Sequence, residues 1–183
     1  IARLINQQDP DVALIVGDLF DEDVTRLNRE ELIGSLQALR SRYGAYAVLG
    51  NHDYFADVRA SMALMEKGGL KVLRDEGVRV NDAFYLLGRD DRQSVHMKGS
   101  RAALAQLKAA LPDDDLPVVL MDHQPFGLQE AEAAGVALQL SGHTHHGQIW
   151  PFQWITRRIY EISWGYGRRG ETQYYVSSGA GTW

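Results

Sequence analysis

Three histidines within four positions, His143, His145 and His146, are the side chains of this chain best suited to chemistry. They lie in Ser141-Gly142-His143-Thr144-His145-His146-Gly147-Gln148, between the apolar run Val136 to Leu140 and the aromatic stretch Ile149 to Phe152. Those flanks read as a buried strand and a surface turn, so the imidazoles leave a sheet at its carboxyl end. Gly142 and Gly147 permit the sharp turns that would aim them at one point. His143 and His145 share a face on an extended segment. Neutral imidazole is the commonest metal ligand. Taken alone, the loop reads equally well as a set of solvated histidines.

Three further strand-like runs end in the same way. Val12 to Val16 runs into Gly17-Asp18-Leu19-Phe20-Asp21, Ala45 to Leu49 into Gly50-Asn51-His52-Asp53, and Pro117 to Met121 into Asp122-His123-Gln124-Pro125. One such cluster is an ordinary capped turn. Four in succession are hard to explain separately, and open α/β sheets place their chemistry at the carboxyl ends of strands. Asp18, Asn51, His123, His143 and His145 together offer carboxylate, amide and imidazole donors. That set suits Mn²⁺, Fe²⁺, Zn²⁺ or Mg²⁺. A carboxylate can bridge two such ions about 3.5–4 Å apart, which clamp the attacking and leaving oxygens of a phosphoryl displacement.

The intervening segments supply the frame. Helical spacing predicts helices over 28–42 (Leu32, Leu36, Leu39), 58–67 and 100–111 (Leu104, Leu107, Leu111), with Asn28 and Glu31 as a capping pair. Leu70 to Leu73, Val78 to Val80 and Phe84 to Leu87 read as three short strands of a second, partly antiparallel sheet. Gly88-Arg89-Asp90-Asp91-Arg92 after them reads as a solvated loop, with a supporting role beside a site as the other reading. His96 and His146 read as surface residues.

Length and composition bound the function classes. The 183 residues fit one ordinary domain, 45% hydrophobic and 23% charged. The net charge of −5 argues against a bulk electrostatic grip on nucleic acid. The absence of cysteine excludes disulfides, thiolate metal sites and cysteine nucleophiles. No apolar run approaches the roughly 20 residues of a membrane span.

The ordered set Gly17-Asp18-x-x-Asp21, Gly50-Asn51-His52-Asp53, His123 and Gly142-His143-x-His145 resembles the calcineurin-like metallophosphoesterase superfamily. Gly-His-Thr-His-x-Gly-Gln and Tyr-Val-Ser-Ser-Gly-x-Gly are similar to its YkuE-like branch. The resemblance implies an α/β fold, a two-sheet β-sandwich flanked by helices in α-β-β-α layers. It implies two divalent metal ions and hydrolysis of a phosphodiester, pyrophosphate or phosphomonoester by a metal-bridging hydroxide. Carried over by position, Asp18 bridges both metals, Asn51, His123 and His143 complete one ion's ligands, and His145 binds the other. His52 is the general acid, oriented by Asp21. The family's Asp-x-His motif is not present, and the chain opens at Ile1 inside a helix-like segment. The expectation is therefore a single domain over 1–183 whose first strand precedes residue 1 and whose last strand follows Trp183.

Two questions stay open at this level. Without Asp-x-His, a degenerate, non-catalytic metal-binding or interaction module is the alternative function. The stretch from Trp150 to Trp164, with Arg157, Arg158, Arg168 and Arg169, reads as a loop whose aromatics pack on the domain. Its other reading is a surface for a membrane or a lipid-linked phosphate. Members of the branch often carry an upstream membrane or export segment, which is where membrane association would arise.

Overall fold

The computed structural model describes residues 1–21, 28–148 and 150–180. Ile149, expected in a surface turn, and Gly181-Thr182-Trp183, expected to lead into a further strand, lie outside them.

The first sheet holds β1 (Ala13–Val16), β2 (Ala45–Val48) and β3 (Lys71–Val72), all parallel and in that order. Parallel neighbours need crossover connections. They are made by α2 (Arg29–Gln37) and α3 (Asn51–Lys67), after a short α1 (Ala2–Asn6). The second sheet has the order β4-β5-β6-β7-β9-β8. Its strands are β4 (Glu76–Val80), β5 (Phe84–Gly88), β6 (Val118–Met121), β7 (Leu138–Ser141), β8 (Gly165–Arg169) and β9 (Thr172–Val176). Its centre, β5-β6-β7-β9, is parallel, and antiparallel β4 and β8 close the two edges. The β4–β5 hairpin turns at Asn81 and Asp82, both left-handed, with Ala83 N–H donating to Val80 O at 2.9 Å. The remaining helices are α4 (Gln93–His96), α5 (Leu104–Ala109), α6 (Leu128–Ala133) and α7 (Phe152–Ile159).

Alternation along the strands sorts the core into three layers of contact. Val48, Leu73, Leu86 and Met121 pack between the two sheets. Ala47, Leu49, Leu64 and Met65 pack under α2 and α3 on the outside of the first sheet. Tyr85, Leu87, Leu120 and Tyr174 pack under α5 and α6 on the outside of the second. Neighbours such as Leu86 and Leu87 thus serve opposite faces, as the period of two requires. The layers run α-β-β-α, as the motifs imply.

Several elements differ from the sequence expectation. The strand at Lys71–Val72 joins the first sheet in parallel rather than the second. Helix α2 ends at Gln37, and α5 covers Leu104–Ala109 alone. Helix α3 begins seven residues early, at Asn51, and is interrupted at Asp57 (φ 109°). The polar cluster at Asn51 and His52 is therefore a helix start. Trp150 to Trp164 is no loop: it carries α7.

The two sheets touch closely at Gly88. A Cβ there would collide with Leu73 and come within 2.9 Å of Val48 Cγ1. Gly88→Ala is expected to lose about 1–3 kcal/mol of stability through overpacking. Gly34→Ala, inside α2 with open space around it, is expected to gain roughly 0.5–1 kcal/mol. Urea denaturation of the two variants checks both signs.

Candidate metal centre

Register brings the polar strand ends level. Val16 lies opposite Val48 in the first sheet, and Met121 opposite Leu140 in the second. Asp18 and Asn51 consequently emerge side by side, and His123 and His143 do the same across the sandwich. Two bonds tie the sheets together here, and in the first His123 Nδ1 lies 2.7 Å from the Val16 carbonyl. A carbonyl only accepts, so Nδ1 carries a proton and, in the neutral ring, Nε2 holds the lone pair. Such a tautomer-fixing hydrogen bond is what a metal-ligating histidine requires.

That lone pair faces Asp18. His123 Nε2 and Asp18 Oδ2 are 2.9 Å apart, yet both atoms are buried and neither finds a hydrogen bond. Their spacing is that of two donors directed at a shared point. Ligand atoms of Asp18, His123 and His143 all fall within 4.8 Å of one another. Buried polar atoms without partners are costly, and a divalent cation is the group this donor set would satisfy. Burial works to raise the Asp18 pKa, but His123 and the His52 amide outweigh it and hold the carboxylate below its usual range. For His123, burial disfavours the cation, yet Asp18 lifts its pKa above the ordinary value. Burial pushes His143 down to about 4, reinforced by His123, so its imidazole is neutral at neutral pH.

Asn51 Oδ1 lies 2.7 Å from His143 Nδ1, which locks that ring across the sheets. His52 presents two handles. Its backbone N–H donates to Asp18 Oδ1 at 2.9 Å, and its ring Nδ1 is in contact with the Asp21 carboxylate. His145 stands apart from the three clustered side chains, in the short 3-10 turn His145–Gly147. That turn is backbone-strained: His143, His145, His146 and Gln148 all have positive φ. Thr144 anchors it, its hydroxyl donating to Ser163 O at 2.6 Å. His146 is partly buried rather than solvated, its ring 4.8 Å from that of Trp164.

Glycine is required at two positions beside these groups. A Cβ on Gly17 (φ 82°) would strike the His123 ring, and one on Gly50 would strike the Asp18 carboxylate.

A supporting layer lies behind these groups, which the sequence suggests only as the second reading of residues 88–92. Asp53 is fully buried and takes backbone N–H bonds from Asp18 (2.9 Å), Gly50 (2.9 Å) and Phe20 (3.1 Å). It holds the first two strand ends together, although burial pushes its pKa up to about 6. Arg89, Asp90 and Asp91 are buried, which overturns the solvated-loop reading. Asp90 accepts from Tyr54 Oη at 2.6 Å and Arg74 Nε at 2.7 Å, and Asp91 from Gln124 Nε2 at 2.9 Å. Asp122 Oδ2, one residue before His123, receives Arg101 Nη2 at 2.5 Å and Arg89 Nη1 at 3.5 Å. The charge density of 89–92 immediately after an apolar strand was the available signal.

Known proteins resemble this chain along most of its length. The family model described as calcineurin-like phosphoesterase matches residues 1–147. An uncharacterized metallophosphoesterase of Helicobacter pylori is 33% identical over 188 residues, covering 100% of this chain and 49% of the relative. A Bos taurus transmembrane protein with metallophosphoesterase domain is 35% identical, covering 97% and 43%. The uncharacterized metallophosphoesterase YkuE of Bacillus subtilis is 30% identical, covering 97% and 63%. The chain thus spans about half the length of several curated relatives it matches. Among solved structures, a putative 5'-nucleotidase from Staphylococcus aureus aligns with a TM-score of 0.55 at 14% identity, over 82% of this chain and 35% of that one. Another crystal structure aligns with a TM-score of 0.54 at 13% identity, over 95% and 82%. At such identities the likeness concerns the fold.

The buried pairing behind His123 makes a stability prediction. Asp122→Ala strands the buried Arg101 guanidinium without its counter-charge, while Arg89 keeps Glu130 at 2.8 Å, and is expected to cost about 3–5 kcal/mol. Chemical denaturation of the purified variant measures it.

Proposed function

We propose, since the chain belongs to the calcineurin-like phosphoesterase family, that it hydrolyses phosphoesters with the aid of divalent metal ions. A phosphodiester or pyrophosphate is favoured, with a phosphomonoester as the other class. The observation that carries this reading is the pair of buried, hydrogen-bond-free donors Asp18 Oδ2 and His123 Nε2, with His143 within reach. Asp18 would be shared between two ions, His123, His143 and Asn51 would complete one set, and His145 would contribute to the other. Mn²⁺, Fe²⁺, Zn²⁺ and Mg²⁺ all suit these nitrogens and oxygens. Ions so held would polarise the phosphoryl oxygens and lower the pKa of the attacking water.

The chain's own side chains supply the rest. His123 is kept as a lone-pair donor by Val16, and His143 by Asn51. His52 is the proposed general acid, delivering a proton to the departing oxygen. Asp21 orients its ring, and the hydrogen bond from its backbone to Asp18 keeps it in register with the shared carboxylate. Asp53 keeps Asp18 and Gly50 from separating. A lipid-linked phosphoester suits the aromatic and basic flank beside His143 and His146.

The alternative is a non-catalytic metal-binding or interaction module. Its support is that Asp-x-His, the motif that would supply the other ion's remaining ligands, does not occur within the 183 residues.

Turnover separates the readings. The full-length chain with Mn²⁺ is expected to cleave bis-p-nitrophenyl phosphate, and Asp18→Asn to lose both metal binding and cleavage. Metal binding without turnover by a folded protein, whichever divalent ion is supplied, would favour the module. His52→Ala is expected to keep metal by isothermal titration. Its rate should fall by about 10²–10⁴ on diesters with poor leaving groups, and less with p-nitrophenolate. Equal losses on both would remove the acid role.

A further inference from the structure

Helix α7 is built inside out. Phe152, Ile155 and Ile159 form one stripe at the spacing of a helix face, and all three are more than half exposed. The residues of α7 that turn toward the protein are polar, Gln153 and Thr156, both partly buried. Trp150, Trp154 and Trp164 add three more large exposed surfaces in the same stretch. A helix serving the domain's own core would show the opposite pattern.

Charge tells what would cover this face. The chain as a whole carries −5, yet no Asp or Glu occurs from Ala133 to Tyr160. Arg157 and Arg158 are exposed and take part in none of the ion pairs found among the described residues. The first acid beyond, Glu161, is paired with Arg169 at 2.6 Å. Indole rings with aliphatic side chains and unpaired arginines are the composition of a helix lying in an anionic membrane interface, where indoles sit at headgroup depth.

The element is moored beside the metal centre. Gly147, at the end of the histidine turn, packs against the backbone at Phe152 and Gln153 so closely that no Cβ fits between them. At the other end the Tyr160 ring lies 4.6 Å from Phe126 and 6.1 Å from His143. The His146 ring packs against Trp164 at a tilt of 39°.

We propose that α7, with Trp150 and Trp164, is an interfacial docking element for an anionic lipid bilayer, holding the His143 side of the site at the headgroup plane. This requires no membrane-spanning helix, and no helix among the described residues is long and apolar enough to be one. It is also independent of catalysis, so it stands or falls apart from the hydrolase reading.

Flotation of the 183-residue chain on a density gradient tests it, with vesicles of phosphatidylcholine alone and of phosphatidylcholine mixed with phosphatidylglycerol. The chain is expected to float with the anionic vesicles, to stay largely below with the neutral ones, and to be released by salt. Arg157→Gln with Arg158→Gln should weaken partitioning roughly thirtyfold, the effect of two basic side chains near an anionic surface. Ile155→Ser with Ile159→Ser should abolish it. Circular dichroism of each variant is expected to match the parent, since all four side chains are exposed. Failure to float with either vesicle, or equal flotation of parent and variants, would overturn the proposal. So would a dimer in sedimentation velocity that Ile155→Ser with Ile159→Ser disperses, because the stripe would then belong to a second copy.

Discussion

A hydrogen bond between two sheets governs this molecule. The His123 ring, rooted at the end of β6, reaches across to the last carbonyl of β1. It aligns the sandwich halves at the end where every polar strand terminus emerges. It also decides which nitrogen of the ring is basic, and so which way the donor points. The bond demands the space that Gly17 leaves. Behind the ring, Asp122 is clasped by Arg101 and Arg89, which fixes the backbone from which His123 springs. The donors facing Asp18 are therefore set by packing rather than by one another's attraction.

Asp53 plays the matching part on the first sheet. A buried carboxylate that accepts three amide hydrogens is an expensive group to place in a core. Here it compensates backbone donors at two strand ends that the parallel ladders leave unpaired. Asp18 and Gly50 are thereby brought to hydrogen-bonding distance of one carboxyl oxygen. The left-handed backbone at Asp18 and in the histidine turn is tolerated because such bonds over-determine it.

Much of this was legible in the residues. Apolar runs of strand length ending in polar clusters located β1, β2, β6 and β7 and the side chains that emerge from them. What escaped was whatever depends on partners far along the chain. Lys71–Val72 is too short for its pattern to say which sheet it joins. Arg89 and Asp122 are 33 residues apart, so neither advertises the other. Asp53 bonds to backbone amides, which every sequence possesses, and its role leaves no trace in residue type. Helix α7 is a different case. Phe152, Ile155 and Ile159 have helical spacing, but the aromatic residues crowded around them fit a packed loop equally well.

The β4–β5 hairpin turn at Asn81 and Asp82 lies at the amino end of β5, across the length of the sandwich from the histidines. Both residues are exposed, and the turn is closed by its own main chain. A fluorophore or affinity handle attached there would leave the ligand-bearing rim and the aromatic helix untouched, giving the chain a neutral grip for immobilisation.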